Sequence, residues 1–368
     1  RDIANFGLNN AVSMQGGIEY LTNINIGPSE DFSLNVISDW ELGFIVRRVE
    51  EGFIGMKVYE TIYEFGLRPK KRSSGFMISG EELIHRCEFV FLDRKLKERR
   101  KLGKGRIAIR CSNGRLEVDL DKPDEIPING DEILYLPLRK RLPSDVLLLE
   151  ASHFLALPLR NLFRDISIYD IDPKLPKRAT PITGKAELEE DGSNLSIILR
   201  NIMSNRDKRR RLFNLVRELL PFIADLGVEK FADKTLLFKL KEVYSGDQFL
   251  PASLISDGTI NIIALIIALY FEEKPLIIIE EPERNIHPHL ISKVVDMMKD
   301  ASRGKQIIVT THNPEIVKYA GIEDLLLVTR DKEGFSNISK PADKEEIRIF
   351  LKNEIGVEEL FVQNLLGI

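Results

Sequence analysis

Pro275-Leu-Ile-Ile-Ile-Glu-Glu-Pro-Glu283 is the stretch whose reading decides the fold. Leu276 to Ile279 are apolar and rich in β-branching, and two carboxylates, Glu280 and Glu281, follow at once. A short continuous apolar run is the pattern of a strand buried on both faces, as in a parallel sheet. Acids directly after it fall at the carboxyl edge, where open α/β sheets place ligands. One carboxylate there suits Mg²⁺, held directly or through water, and its neighbour suits the orientation of a water molecule. The plain alternative is a buried strand that ends in a solvated acidic turn.

Both flanks bear on that choice. Upstream, Leu254-Ile-Ser256-Asp257-Gly258-Thr259 precedes an apolar stretch from Ile260 to Phe271. Ser256 or Asp257 can cap a helix there, and Gly258 allows close approach to the backbone. A helix N-terminus with free N–H groups and a hydroxyl suits a phosphate; the bland reading is a capped core helix. Downstream, Gln306 to Thr311 reads as a second short strand, running into His312 and Asn313, and Pro314 opens a helix. A histidine in such a turn is commonly structural, yet the edge of the neighbouring strand is also a place from which it can reach a terminal phosphate.

In this order the segments resemble a family. Ser256-Asp257-Gly258-Thr259 resembles the signature motif of ABC-type ATPases, and Ile277 to Glu281 resembles Walker B. Pro282-Glu-Arg-Asn285-Ile-His-Pro288 resembles the D-loop region, and Thr310-Thr-His312-Asn-Pro314 the switch histidine. The combination is similar to AAA-family ATPases of the ABC/RecF/SMC-like class, which includes OLD-type ATPases and the ATPases of prokaryotic defence systems. The likeness extends to Leu188-Glu-Glu-Asp-Gly-Ser-Asn-Leu195 and to the tail Glu358–Gly367.

The resemblance implies an α/β fold, an ABC-type P-loop NTPase head with an antiparallel β section and an inserted helical lobe. It implies ATP and Mg²⁺ as ligands, and a homodimer or higher oligomer that sandwiches ATP between the Walker motifs of one subunit and the signature of the other. Glu280 would stand where an aspartate usually helps hold Mg²⁺, one methylene longer. Glu281 would polarise the attacking water, and His312 would contact the γ-phosphate. Ser256, Asp257, Gly258 and Thr259 would face the ATP of the opposite subunit, Asn285 would lie near the dimer seam, and Gln15 would serve as the Q-loop. The family's phosphate loop, Gly-x-x-x-x-Gly-Lys-Ser/Thr, does not occur in the sequence. The opening residues Arg1–Asn10 resemble the end of the helix that follows that loop, so the loop is expected upstream. The implied role is a DNA-processing or anti-phage defence ATPase that works with a nuclease or other effector protein, and with DNA. The competing reading is an inactive ATPase-like scaffold that binds such a partner.

Alternation of apolar and polar residues over 34–48 and 53–66, with Glu51-Gly52 between, predicts a hairpin. Short strands are expected near 76–79, 86–92, 106–111 and 115–119, with a turn at Asn113-Gly114. The texture becomes helical from about 144 to 226, and strands resume near 228–243. This predicts 1–120 as the first part of the core, 121–227 as an inserted helical lobe, and 228–368 as the second part of the core with the motifs. No sustained heptad repeat marks a coiled coil.

The 368 residues carry a net charge of −4 and are 43% hydrophobic, enough for a real core. No apolar run reaches membrane-spanning length, which points away from a membrane partner. Cys87 and Cys111 are the sole cysteines and lack metal spacing, so a reducing cytoplasm is the natural compartment. His287 and His289 sit two residues apart and do not share a helix face, which argues against a transition-metal pair. Basic residues cluster at 68–72, 94–106, 139–141 and 206–211. Such runs grip nucleic-acid phosphates or form solvated faces.

Overall fold

The computed structural model describes residues 1–22, 30–39, 41–70, 75–129, 142–143, 145–151, 155–231, 234–352 and 355–367. The basic residues Lys71, Arg72, Arg139, Lys140 and Arg141 lie outside them. The chain forms two compact units, Arg1–Arg164 and Asp165–Ile368. The boundary falls inside 121–227, the segment read from sequence as one inserted lobe.

In the first unit, β1 (Phe32–Ser38) and β2 (Leu42–Val49) both pair antiparallel with β3 (Gly52–Pro69). The sheet continues through β4 (Phe76–Asp93), β5 (Glu98–Ser112) and β6 (Arg115–Asp121). Asn113 and Gly114, at φ 50° and 74°, make the tight turn between β5 and β6, as an Asn-Gly pair is suited to do. Period-two alternation sorts the faces. Tyr63, Phe65, Leu83, Cys87 and Phe89 point inward, to a core shared with Ala4, Leu8 and Leu159. Those three come from α1 (Asp2–Phe6), α2 (Leu8–Met14) and α3 (Leu157–Arg164).

The other face is an ion-pair ladder. Arg86 pairs with Glu60 at 2.7 Å, Arg110 with Glu82 at 2.7 Å and Lys101 with Glu88 at 2.9 Å. Arg99 of the 94–106 run binds Asp93 at 2.6 Å, and Arg106 lies 3.8 Å from Asp119. Arg99, Lys101 and Arg106 of this basic run are therefore matched by acids.

The second unit is built on α6 (Asp257–Tyr270), whose residues from Thr259 to Leu269 are all buried. A helix apolar on every side must be enclosed. It shares its core with β12 (Leu276–Glu280), α7 (Pro288–Ala301), α4 (Leu195–Ser204) and α5 (Arg206–Leu219). A parallel sheet runs in the order β13 (Gln306–Thr310), β12, β7 (Ile166–Tyr169). Beside it, β9 (Ile223–Phe231) and β10 (Thr235–Glu242) pair antiparallel, with β8 (Thr180–Pro181) and β11 (Leu250–Pro251) on β10. α8 (Pro314–Ala320) leads from β13 to a hairpin of β14 (Leu327–Arg330) and β15 (Ser336–Ser339). Two short helices, α9 (Glu345–Lys352) and α10 (Val357–Val362), end the chain.

Three features differ from the sequence reading. The stretch 34–48, read as one arm of a hairpin, holds two strands, β1 and β2, that both pair with β3. β7 lies within the stretch expected to be helical, because four residues, Ile166-Ser-Ile-Tyr169, are too short a run to register as a strand pattern. β4 is one continuous strand, where two were expected. Its inward face carries Glu81 and His85, 5% and 1% exposed, and these polar residues interrupt the apolar alternation.

Candidate nucleotide site

The carboxyl edge of the parallel sheet gathers the acids. Asp170 follows β7, Glu280 ends β12 with Glu281 after it, and Thr311 and His312 follow β13. β12 and β13 run in register from Leu276↔Gln306 to Glu280↔Thr310, and Glu281 N–H continues the ladder to the Thr310 carbonyl at 2.9 Å. The chain then turns sharply: Glu281 has φ 43° and Asn285 φ 62°, left-handed values for residues with side chains. Backbone bonds from Arg284 N to Glu281 O (3.0 Å) and from Ile286 N to Glu283 O (2.9 Å) close the turn.

Side chains fix it from three directions. Asn261, 2% exposed, donates from Nδ2 to the carbonyls of Arg284 (2.7 Å) and Pro282 (3.3 Å). The Thr311 hydroxyl donates to Glu283 Oε1 at 2.5 Å and accepts from Asn313 N–H at 2.9 Å. This ties the turn that carries His312 to the turn that carries Glu283. Arg284 spans Glu281 and Asp170: Nη1 donates to Asp170 Oδ1 at 2.8 Å, and Nη2 and Nε donate to Glu281 Oε2 at 3.1 and 3.3 Å. The Glu281 hydrogen bond, then the Asp170 charge, push the guanidinium pKa above its ordinary value. Arg284 therefore carries its charge at every working pH.

The Ser256–Thr259 turn abuts this edge. Ser256 is the N-cap of α6: its Oγ accepts from Thr259 N–H at 3.2 Å and lies 2.8 Å from Thr259 Oγ1. Asp257 meets Lys177 Nζ at 2.5 Å. Gly258 packs on the 285 turn so closely that a Cβ there would lie 2.3 Å from the Asn285 carbonyl oxygen. The close approach that glycine permits is thus used by the protein's own backbone. Asn313 caps α8, accepting from Glu315 N–H at 2.9 Å, and His287 caps α7. Gln15 belongs to the first unit, at the C-cap of α2.

The structure thus brings together Ser256, Asp257, Gly258, Thr259, Glu280, Glu281, Asn285 and His312 in one unit. Sequence reasoning missed Asp170, Lys177, Asn261, Glu283, Arg284 and Thr311. Glu283, Arg284 and Thr311 lie inside the motif segments without an assigned role, and Asn261 had a local signal as a polar residue inside an otherwise apolar run. The Asp-Gly-Ser-Asn segment proves structural. Asn194 is buried, accepts from Glu189 N–H at 2.8 Å and donates to the Glu187 carbonyl at 2.8 Å.

The edge fits a divalent cation that arrives with a phosphate. Asp170, Glu280, Glu281 and Glu283 outnumber the one cation, Arg284, fixed among them. Glu283 Oε2 is buried with no hydrogen-bond partner among the described residues, an expensive state for a carboxylate oxygen. Among the described residues no three His, Cys, Asp or Glu side chains are grouped so that they could hold a metal ion by themselves. Mg²⁺ is held by one or two carboxylates together with waters and phosphate oxygens, and needs none.

A family model described as "AAA domain, putative AbiEii toxin, Type IV TA system" matches residues 48–318, well over half the chain. The chain belongs to this AAA-domain family. Its architecture is α/β, with a parallel sheet in the second unit and an antiparallel β section in the first. A search of curated proteins finds no match. Among solved structures, the domain is similar to an Smc head bound to the C-terminal winged-helix domain of ScpA. That match has 15% identity, 74% of this chain and 78% of the other covered, and a TM-score of 0.38. It is also similar to the Pyrococcus furiosus Smc head domain with an extended coiled coil, at 14% identity, 77% and 82% covered and a TM-score of 0.36. The Thermotoga maritima SMC head domain matches at 13% identity, 76% and 74% covered and a TM-score of 0.30. Among the described residues no helix is long and apolar enough to cross a membrane.

Proposed function

We propose that this AAA domain binds and hydrolyses ATP as a head that dimerises around the nucleotide. The observation that carries the reading is the register of β12 and β13, which sets Glu280, Glu281 and His312 side by side at one sheet edge. Glu280 would hold Mg²⁺, which supplies charge neutralisation on the phosphates when bound. Glu281 accepts a hydrogen bond from the attacking water, and His312 donates to the terminal phosphate. Such chemistry depends mainly on positioning and charge placement. Ser256, Asp257, Gly258 and Thr259 present the α6 N-terminus to the nucleotide of a second subunit, and Asn285 lies toward that seam.

β13 is an edge of the parallel sheet among the described residues, a position at which a strand bearing a phosphate loop would pair. Among the described residues β13 pairs with β12 alone, and Ile308 on it is 42% exposed. Beyond α8, Leu326, Val328 and Ile338 of the next hairpin are 68%, 64% and 69% exposed. Parallel sheets are ordinarily covered on both faces.

The family's description, which names a putative toxin of a toxin–antitoxin system, supports a defence role, and the exposed cations of α5 suit an acidic partner or DNA. The test is Glu281→Gln in the full-length protein. The amide keeps the shape and loses the charge, so ATP should still bind, turnover should stop, and an ATP-trapped dimer should appear by light scattering. Turnover at the parent rate would remove the assignment. Absence of ATP binding by the parent would favour the scaffold reading.

A further inference from the structure

Arg284 lies inside the segment that resembles the D-loop without a role of its own there, yet it makes the most polar contacts at the sheet edge. Its guanidinium bridges two carboxylates that sit 111 residues apart in the chain as Asp170 and Glu281. Its carbonyl is gripped by the buried Asn261. The contacts to Glu281 all fall on one oxygen, Oε2, while Oε1 takes no hydrogen bond among the described residues.

We infer that Arg284 is a positioning residue for Glu281, and that Asp170 in turn orients Arg284. The inference rests on the proposed ATPase reading of this site. Glu281 has a long side chain, half-exposed, on a left-handed backbone position. Left alone, it would sample several rotamers. A planar guanidinium with two N–H groups on one carboxylate oxygen anchors that oxygen and so narrows the rotamers open to the side chain. The other oxygen is then free to accept from a water in a set direction. Asp170 holds the far end of the guanidinium, as the third member of a relay fixes the second. An ammonium keeps the charge and loses the planar fork, so lysine should serve in part.

With this role, Arg284 acts on turnover and not on assembly. Arg284→Ala, in the full-length protein, should lower kcat by about 10- to 100-fold, the usual effect of losing an outer partner or of a small misplacement. KM for ATP, thermal stability and ATP-driven dimerisation should stay at parent values. Arg284→Lys should recover part of the lost kcat, and Asp170→Asn should lower kcat in the same direction by less. Parent-rate turnover by Arg284→Ala overturns the inference. So does a joint loss of turnover, dimerisation and thermal stability that lysine does not restore, since that is a structural role. Glu281→Gln run in parallel separates the two levels. If it is inactive and Arg284→Ala is not, this inference alone falls; if it turns over normally, the site reading falls and takes the inference with it.

Discussion

Lys177 holds its ammonium 2.5 Å from the Asp257 carboxylate, at the first turn of α6. The pair links an irregular loop after β7 to the turn proposed to face a second subunit's nucleotide. Both side chains are partly covered, at 22% and 32% exposure. A pair of this kind adds roughly 0–1 kcal/mol to folding. A carboxylate at a helix N-terminus is also favourable by itself, by about 0.3–1 kcal/mol. Stability alone gives little reason for the lysine. A terminal phosphate approaching the same turn would meet an uncompensated carboxylate without it. Lys177→Ala should therefore change thermal stability little and weaken ATP-driven dimerisation by about tenfold, or about 1.4 kcal/mol. Adding Asp257→Asn should restore the dimer. Failure of the second substitution to restore it would show that charge is not the cause.

Gly258 sets two effects against each other. Helix propensity favours alanine over glycine by about 1 kcal/mol within a helix. The packing opposes it, because the new Cβ would lie 2.3 Å from the Asn285 carbonyl oxygen, a backbone atom that cannot rotate away. Overpacking of this sort costs about 1–3 kcal/mol, so the clash should win. Gly258→Ala should lower the urea midpoint of the second unit and shift the 285 turn. An equal or higher midpoint would mean that the two turns are less tightly packed than the structure shows.

The strand Ile277–Ile279, the Ser256 cap, the Asn113-Gly114 turn and the Pro314 helix start were all legible, because each is written in neighbouring residues. What stayed hidden is long-range. Arg284 meets Asp170, Thr311 meets Glu283, and Lys177 meets Asp257, pairs that no local period announces. β7 escaped because its four residues are too short a run for a strand period to register, and only Tyr169 of them is buried. Glu81 escaped because an inward-facing acid reads as the end of a strand.

The basic run on α5 divides by partner. Arg209 lies 3.5 Å from Asp225 and 5.5 Å from the Phe213 ring. Arg211 lies over Tyr270 and Phe271, at 5.7 and 5.6 Å. Arg206, Lys208 and Arg210 are exposed and have no side-chain partner among the described residues. Replacing these three by glutamine should leave the fold intact. If this face binds duplex DNA, the slope of log affinity against log salt should fall by up to about 3, near 0.9 for each phosphate that is no longer neutralised. Unchanged affinity and slope, measured by filter binding at several salt concentrations, would assign the face to another partner or to solvent.

Glu81 gives the first unit a pH dependence of definite sign. Its carboxyl is 5% exposed, accepts from Tyr63 Oη at 2.5 Å and from Leu148 N–H at 2.7 Å, and has an unpartnered Oε2 among the described residues. Burial pushes its pKa from 4.5 to about 7, against the opposing pull of those two hydrogen bonds. The folded state thus keeps a proton that the unfolded chain releases near pH 4.5. Stability from this group is full below about pH 4.5 and is lost as pH rises through about 7, by an amount on the order of 3 kcal/mol. Glu81→Gln keeps the shape and cannot titrate. The stability difference between parent and variant should therefore move against the parent by about 2–3 kcal/mol between pH 5 and 8, read from urea unfolding at each pH. A difference that stays constant across that range would show that Glu81 is ionised in the folded protein throughout.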